Sequence, residues 1–190
     1  FYPRADKIIC QADFMKEDLR LNYHIPDSKM KVVYNPVDIY LAQVKTKERN
    51  PFQNMQGTIN LIAVGRLEEQ KGYHRIITRF PDLLRNKENA HLWFLGEGIL
   101  KEELYQQALH LGINERVHFV GFQENPYTWM AHADLFVMSS IYEGLPNVLL
   151  EAMACGCPVV SLEHPGGTRE IFEITGQLDR FVKELTWEDK

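Results

Sequence analysis

A chain of 190 residues, 45% of them hydrophobic, is long enough for one α/β domain with its own core and too apolar for a disordered segment. A formal net charge of −5, with no basic stretch, argues against a track for a nucleic-acid backbone but leaves room for a local basic pocket around one diphosphate. No apolar run approaches the length of a bilayer span, and no charged segment followed by an apolar stretch opens the chain.

Three cysteines, Cys10, Cys155 and Cys157, make no even disulfide framework and no metal-ligand cluster, so they read as reduced thiols and no metal is expected. The expected location is cytoplasmic. The chain opens at Phe1 and reads as a segment of something longer.

In chain order, "DKIICQA" reads as a strand, and Asp13 as the cap of a helix "FMKEDLRLNY" that stops before Pro26. "KMKVVYNPVDI" is an apolar strand ending in a turn at Asn35-Pro36. Residues 43–57 are polar and contain Pro51, as a linker would. From Thr58 the pattern becomes regular. "INLIAVG" is a buried strand, and the loop "RLEEQKG" leads to the helix "YHRIITRFPDLLRN", which Pro81 should bend or divide. Then come the strand "AHLWFLGEG", the helix "ILKEELYQQALHLG", the strand "RVHFVG", a loop "FQENP" and a short helix "YTWMAHA". The strand "DLFVMSS", the helix "NVLLEAMAC" and the strand "CPVVSL" complete the series. Alternating strands and helices imply an α/β fold: a parallel sheet with helices on both faces. Gly65, Gly96, Gly98 and Gly121 fall at strand ends, where ligands of such sheets bind, though tight turns would also explain them.

The segment "SSIYEGLPNVLLEAMACGCPVV" is the most informative. Pro146 is expected as the first helical residue, leaving the amides of Asn147 and Val148 unpaired and suited to a phosphate. Gly144 removes a side chain from the approach. Glu151 lies four positions after Asn147, about 6 Å along the axis, a reach that would let it accept from ribose hydroxyls. Glu143, just before the helix, would hold hydroxyls of a sugar. Taken singly, Glu151 also fits a dipole-complementing acid and Glu143 a solvated loop acid. The loop "AVGRLEEQKGYHRI" adds Arg66 and Lys71, a fork and a point charge able to stabilise a leaving diphosphate without a metal, although either alone would pass for solvated surface. Its spacing is not that of a P-loop.

Together, "NPVD", "AVGRLEEQKG", "LWFLGEG", "VHFVGF", "ADLFVMSSIYEGLPNVLLEAMACGCPVVS" and "PGGTREI" resemble, in order, the retaining glycosyltransferase family four of the GT-B class, typified by bacterial lipopolysaccharide and capsule sugar transferases. The resemblance implies two Rossmann-like domains with a cleft between them, this chain being the C-terminal, donor-binding half. Residues 1–34 would be a remnant of the N-terminal domain, 35–57 the interdomain crossover, and 58–190 the donor domain, truncated at its end. It implies no cofactor. The donor would be a nucleotide diphosphate sugar, with a UDP-sugar expected first, and the acceptor a glycan or lipid-linked sugar reached through the rest of the N-terminal domain. Membrane association at the inner face would lie in that missing part. By position, Arg66, Lys71 and Glu143 would be catalytic. Gly65, Gly121, Phe122, Gly144, Leu145, Pro146, Asn147, Val148 and Glu151 would bind donor, with Gly121 and Phe122 near the base. A sugar-nucleotide epimerase and a non-catalytic nucleotide-sugar-binding module are the rival readings. Gly166 and Gly167 fit a close backbone approach or a tight turn, Glu170 a first-turn dipole acid, and His118, His132, Trp93, Trp129, Phe119 and Phe136 packing.

Overall fold

The computed structural model describes residues 2–183 and Leu185. The chain starts with β1 (Ile8–Cys10), α1 (Asp13–Tyr23) and β2 (Met30–Val32), in which the two strands pair in parallel. Buried Ile8, Cys10, Leu19, Ile25 and Met30 form a small core of their own. Ala12, not Asp13, occupies the cap position of α1, and it carries no side-chain acceptor. Asp13 is the first helical residue, so the expected cap is displaced by one position.

α2 (Ile39–Lys45) follows, capped by Asp38, whose carboxylate accepts from the Leu41 amide at 2.8 Å. The expected linker over 43–57 is therefore helical at its start. Further on, Phe52 is buried between Trp93 and Trp129, with ring centroids 5.4 and 5.3 Å away. These contacts pin the segment to the main domain.

That domain comprises β3 (Ile59–Val64), α3 (Tyr73–Asn86), β4 (Ala90–Leu95), α4 (Lys101–His110), β5 (Val117–Gly121), α5 (Pro126–His132), β6 (Leu135–Met138), α6 (Asn147–Ala154), β7 (Val159–Leu162), α7 (Thr168–Thr175) and β8 (Phe181–Val182). The sheet runs β5-β4-β3-β6-β7-β8 with every pair parallel. Strand order reverses between β3 and β6, where doubly wound sheets open a crevice at their carboxyl ends.

The near-continuous apolar runs of β3 and β4 follow from two covered faces. Leu61, Ala63, Leu92 and Phe94 pack with Ile76, Ile77 and Phe80 of α3 and Leu104 and Ala108 of α4. Ile62, Leu95, Phe136 and Met138 pack with Met130, Leu149, Ala152, Ile171 and Phe172 on the other side. Pro81 does not divide α3, which is continuous from Tyr73 to Asn86. Proline removes one backbone bond, but buried Ile76, Ile77, Phe80 and Leu83 hold both halves of the helix against the sheet. β8 was not anticipated. It pairs with β7 through Ser161–Phe181 and Leu162–Val182.

Candidate donor site at the sheet switch point

The loops after β3 and β6 meet at the switch point and are laced together. The Ser139 hydroxyl donates to the Lys71 carbonyl at 2.9 Å, the Ile141 amide to the Gln70 carbonyl at 2.8 Å, and the Gln70 amide to the Tyr142 carbonyl at 3.1 Å. Arg75 adds a bond to the Ser139 carbonyl at 3.2 Å. Gly72 makes this possible: its φ is +58°, and a Cβ there would lie 2.4 Å from the Ser139 oxygen.

Within this lacing, Lys71 and Glu143 form an ion pair of 2.7 Å, with side chains only 16% and 9% exposed. The Ser140 hydroxyl donates to the same carboxylate oxygen at 2.7 Å, and the Gln70 amide reaches the other at 3.5 Å. Glu143 is thus a paired acid with its side chain largely shielded from water, not a solvated loop carboxylate. Ser140 and Gln70 were absent from the sequence reading; the serine pair closing β6 was the available signal. A third missed group is Tyr73, whose buried hydroxyl has no partner among the described residues. Burial, and then the nearby Glu143 charge, raise its pKa. His164 is also buried. Its Nε2 has no partner among the described residues, and desolvation lowers its pKa.

α6 begins one residue later than expected. Pro146 is its cap (φ −76°, ψ 99°), Asn147 the first helical residue, and no side chain among the described residues caps the end. The Leu149 amide bonds to the Pro146 carbonyl at 3.1 Å, while the amides of Asn147 and Val148 have no acceptor among the described residues. The two expected donors therefore stand open, with the positive end of the helix behind them. Leu145 is buried beneath. Glu151, one turn further, is half-buried and accepts no hydrogen bond from the described residues; desolvation raises its pKa.

Gly166 and Gly167 shape the floor. A Cβ on Gly166 would lie 1.8 Å from the Glu143 carbonyl oxygen, so glycine is required there. The Glu143 amide donates to the Pro165 carbonyl at 3.2 Å and the Gly167 amide to the Gly144 carbonyl at 2.7 Å. A side chain at Gly144 would point to Met15 and Gln11, 3.6 and 3.9 Å away, so this glycine faces the N-terminal segment.

Arg66 stands in the same β3 loop but is 69% exposed and pairs with Glu68 at 3.1 Å. It does not join the Lys71–Glu143 pair. With Gly65, Gly96, Glu97, Phe122 and Pro126 it lines a cavity of about 250 Å³ beside the switch point. Gly121 closes β5 with φ +75°, and its carbonyl accepts from the Gly96 amide at 2.8 Å. Phe122 follows it, 71% exposed. His118 packs as expected, stacked on Trp93 at 3.9 Å. Among the described residues no group of three or more His, Cys, Asp or Glu is placed to hold a metal ion, and no helix is long and apolar enough to cross a membrane.

These features define a class: a Rossmann-like α/β domain of GT-B type, with a helix start whose first amides are open among the described residues at its switch point. More narrowly, the chain belongs to the family "Glycosyl transferases group 1", whose model matches residues 44–182, while the model "Glycosyltransferase Family 4" matches residues 1–40. It is similar to the Campylobacter jejuni N-acetylgalactosamine-N,N'-diacetylbacillosaminyl-diphospho-undecaprenol 4-alpha-N-acetylgalactosaminyltransferase, with 36% identity over 90% of this chain and 45% of the relative. A lipopolysaccharide 1,6-galactosyltransferase of Salmonella typhimurium is 30% identical over 95% of this chain and 52% of its own. Among solved structures, Anabaena HepE in complex with UDP superposes with TM-score 0.76 and 26% identity, over 90% of this chain and 48% of that one. HepE has also been solved with UDP-glucose. The chain spans about half the length of these relatives.

Proposed function

We propose that this chain is the donor-binding half of a retaining glycosyltransferase that moves a sugar from a UDP-sugar to a glycan or lipid-linked acceptor. The observation that carries the reading is a convergence at one sheet edge. The Lys71–Glu143 pair and, among the described residues, the unpaired amides of Asn147 and Val148 and the unpartnered Glu151 carboxylate stand on the loops and helix that follow β3 and β6, and doubly wound sheets take ligands at the carboxyl ends of such strands. HepE, solved with UDP and with UDP-glucose, supports the choice of base.

In this reading the amides of Asn147 and Val148 take phosphate oxygens, and Lys71 neutralises charge as the diphosphate leaves. Arg66 swings from Glu68 to the outer phosphate. Glu151 accepts from the ribose hydroxyls, and Glu143, held by Ser140 and Gln70, orients the transferred sugar. The base lies over Gly121 and Phe122, against Gly65. The bond from the anomeric carbon to the diphosphate oxygen breaks, its electron pair leaving with the diphosphate; a bond to the acceptor hydroxyl oxygen forms on the same face through an oxocarbenium-like state, and the hydroxyl proton passes to the departing phosphate oxygen. Residues 1–34 end the acceptor-side domain, 35–57 cross over, and 58–190 hold the donor.

A thermal-shift series with UDP-, GDP- and ADP-sugars tests this, since a ligand that binds the folded form raises the midpoint. UDP-sugars should raise it most. No shift with any of the three would overturn the proposal. Release of an epimer from full-length protein without acceptor would favour the epimerase instead.

A further inference from the structure

Glu170 was expected to complement its own helix, and it does sit in the first turn of α7. Its carboxylate, however, is committed to another helix. One oxygen accepts from the Asp13 amide at 2.9 Å and the other from the Phe14 amide at 2.6 Å. These are orphan donors at the start of α1, whose own cap position is Ala12. An acid more than 150 residues away in sequence therefore supplies the missing cap. The Tyr34 hydroxyl donates to Asp13 at 2.9 Å and lies 3.4 Å from Glu170, closing the ring of contacts.

The geometry ties this cap to the donor-site loop. Ala12 is fully buried, and a Cβ on Gly167 would fall 2.7 Å from both the Ala12 Cβ and the Gly144 carbonyl oxygen. The start of α1, the start of α7 and the loop at Gly144 are thus in backbone-level contact. A second connection runs through side-chain amides: Gln11 donates to Asn35 at 3.0 Å, and Asn35 donates to Asn147 at 2.7 Å, at the first residue of α6. Both connections join the segment before the crossover to the elements that present the open amides.

We propose that Glu170 is a positioning residue, a clamp that fixes the N-terminal β–α unit over the donor-site loop and so sets the register between donor and acceptor sides. The proposal rests on the transferase reading for its kinetic consequence, but not for the clamp itself. A charged acceptor on two amides outweighs a neutral one, so the clamp is graded: Glu holds both amides, Gln holds one well, and Ala holds neither.

The test uses the full-length protein as wild type, E170Q, E170A and Y34F. Transfer is measured at saturating UDP-sugar, UDP affinity by calorimetry, and hydrogen exchange over residues 12–16 by mass spectrometry. E170A should lower kcat roughly tenfold or more, because small misplacements are costly in transfer chemistry, and should leave the UDP Kd within about twofold. E170Q should recover most of that loss, and Y34F should give an intermediate value. Exchange over 12–16 should speed up in E170A. A kcat within about twofold of wild type in E170A, an equal loss in E170Q and E170A, or unchanged exchange would each overturn the clamp. If E170A does not fold, E170Q and Y34F decide by the same readings. If wild type fails to bind UDP, the donor reading falls, and the exchange measurement still decides the clamp.

Discussion

Removing one partner of the Lys71–Glu143 pair separates a structural ion pair from a site feature. In Lys71→Met the carboxylate keeps the Ser140 hydroxyl at 2.7 Å and the Gln70 amide at 3.5 Å, but loses its counter-charge at 9% exposure. Breaking a buried pair costs about 3–5 kcal/mol, and the two remaining donors bring the expected cost here to about 2–3 kcal/mol. For a chain of this size that lowers the melting midpoint by roughly 5–10 °C. Glu143→Gln keeps an amide oxygen that can accept from the Lys71 ammonium, itself only 16% exposed, so the cost should be smaller, about 1–2 kcal/mol. The double variant should recover part of the loss, with a coupling of about 1–2 kcal/mol in urea unfolding. Turnover of the full-length protein should fall about 100-fold or more in Lys71→Met, as for loss of one electrostatic donor. A single-variant cost within about 0.5 kcal/mol together with near-normal turnover would refute the reasoning.

Gly166→Ala places a Cβ 1.8 Å from the Glu143 carbonyl oxygen at φ +135°, so the site floor must move; it should abolish UDP binding in a calorimetric titration. Gly156→Ala, with φ +75° and no described residue within 4 Å, should cost only about 1 kcal/mol and leave UDP binding intact. A third prediction concerns pH. His118 is held down to about 4 by burial, then by His91 and Arg116; His91 lies 2.8 Å from it and takes a bond from Arg116 at 3.0 Å. A folded-state pKa below the unfolded value means stability is complete above about 6.5 and is lost as pH falls toward about 4. The expected loss is on the order of 2 kcal/mol by urea unfolding, and His118→Gln should flatten that slope.

Much of the sheet was legible because strands covered on both faces read as short continuous apolar runs, into which β3, β4, β6 and β7 fall; the edge strand β5, only partly buried along most of its length, was legible from its neighbours in the alternating series. Local competition explains the misses. Pro81 reads as a breaker, but four buried apolar side chains on both sides of it outweigh one lost bond. β8 is two residues long, too short to carry a pattern. At the candidate site, residue type and order along a strand–loop–helix pointed to Lys71, Glu143, Glu151 and the Asn147 and Val148 amides as the groups to inspect. What the sequence could not show was pairing. Nothing local says that Glu143 is bound by Lys71 and Ser140, that Arg66 turns to Glu68, or that Glu170 caps a helix from the other end of the chain. Those facts depend on which loops the topology brings side by side.

The most direct measurement is a crystal structure of the protein grown with UDP. The account predicts the diphosphate within about 3 Å of the Asn147 and Val148 amides and of the Lys71 Nζ, with both ribose hydroxyls on Glu151. A diphosphate bound away from the start of α6, or a ribose out of reach of Glu151, would contradict it.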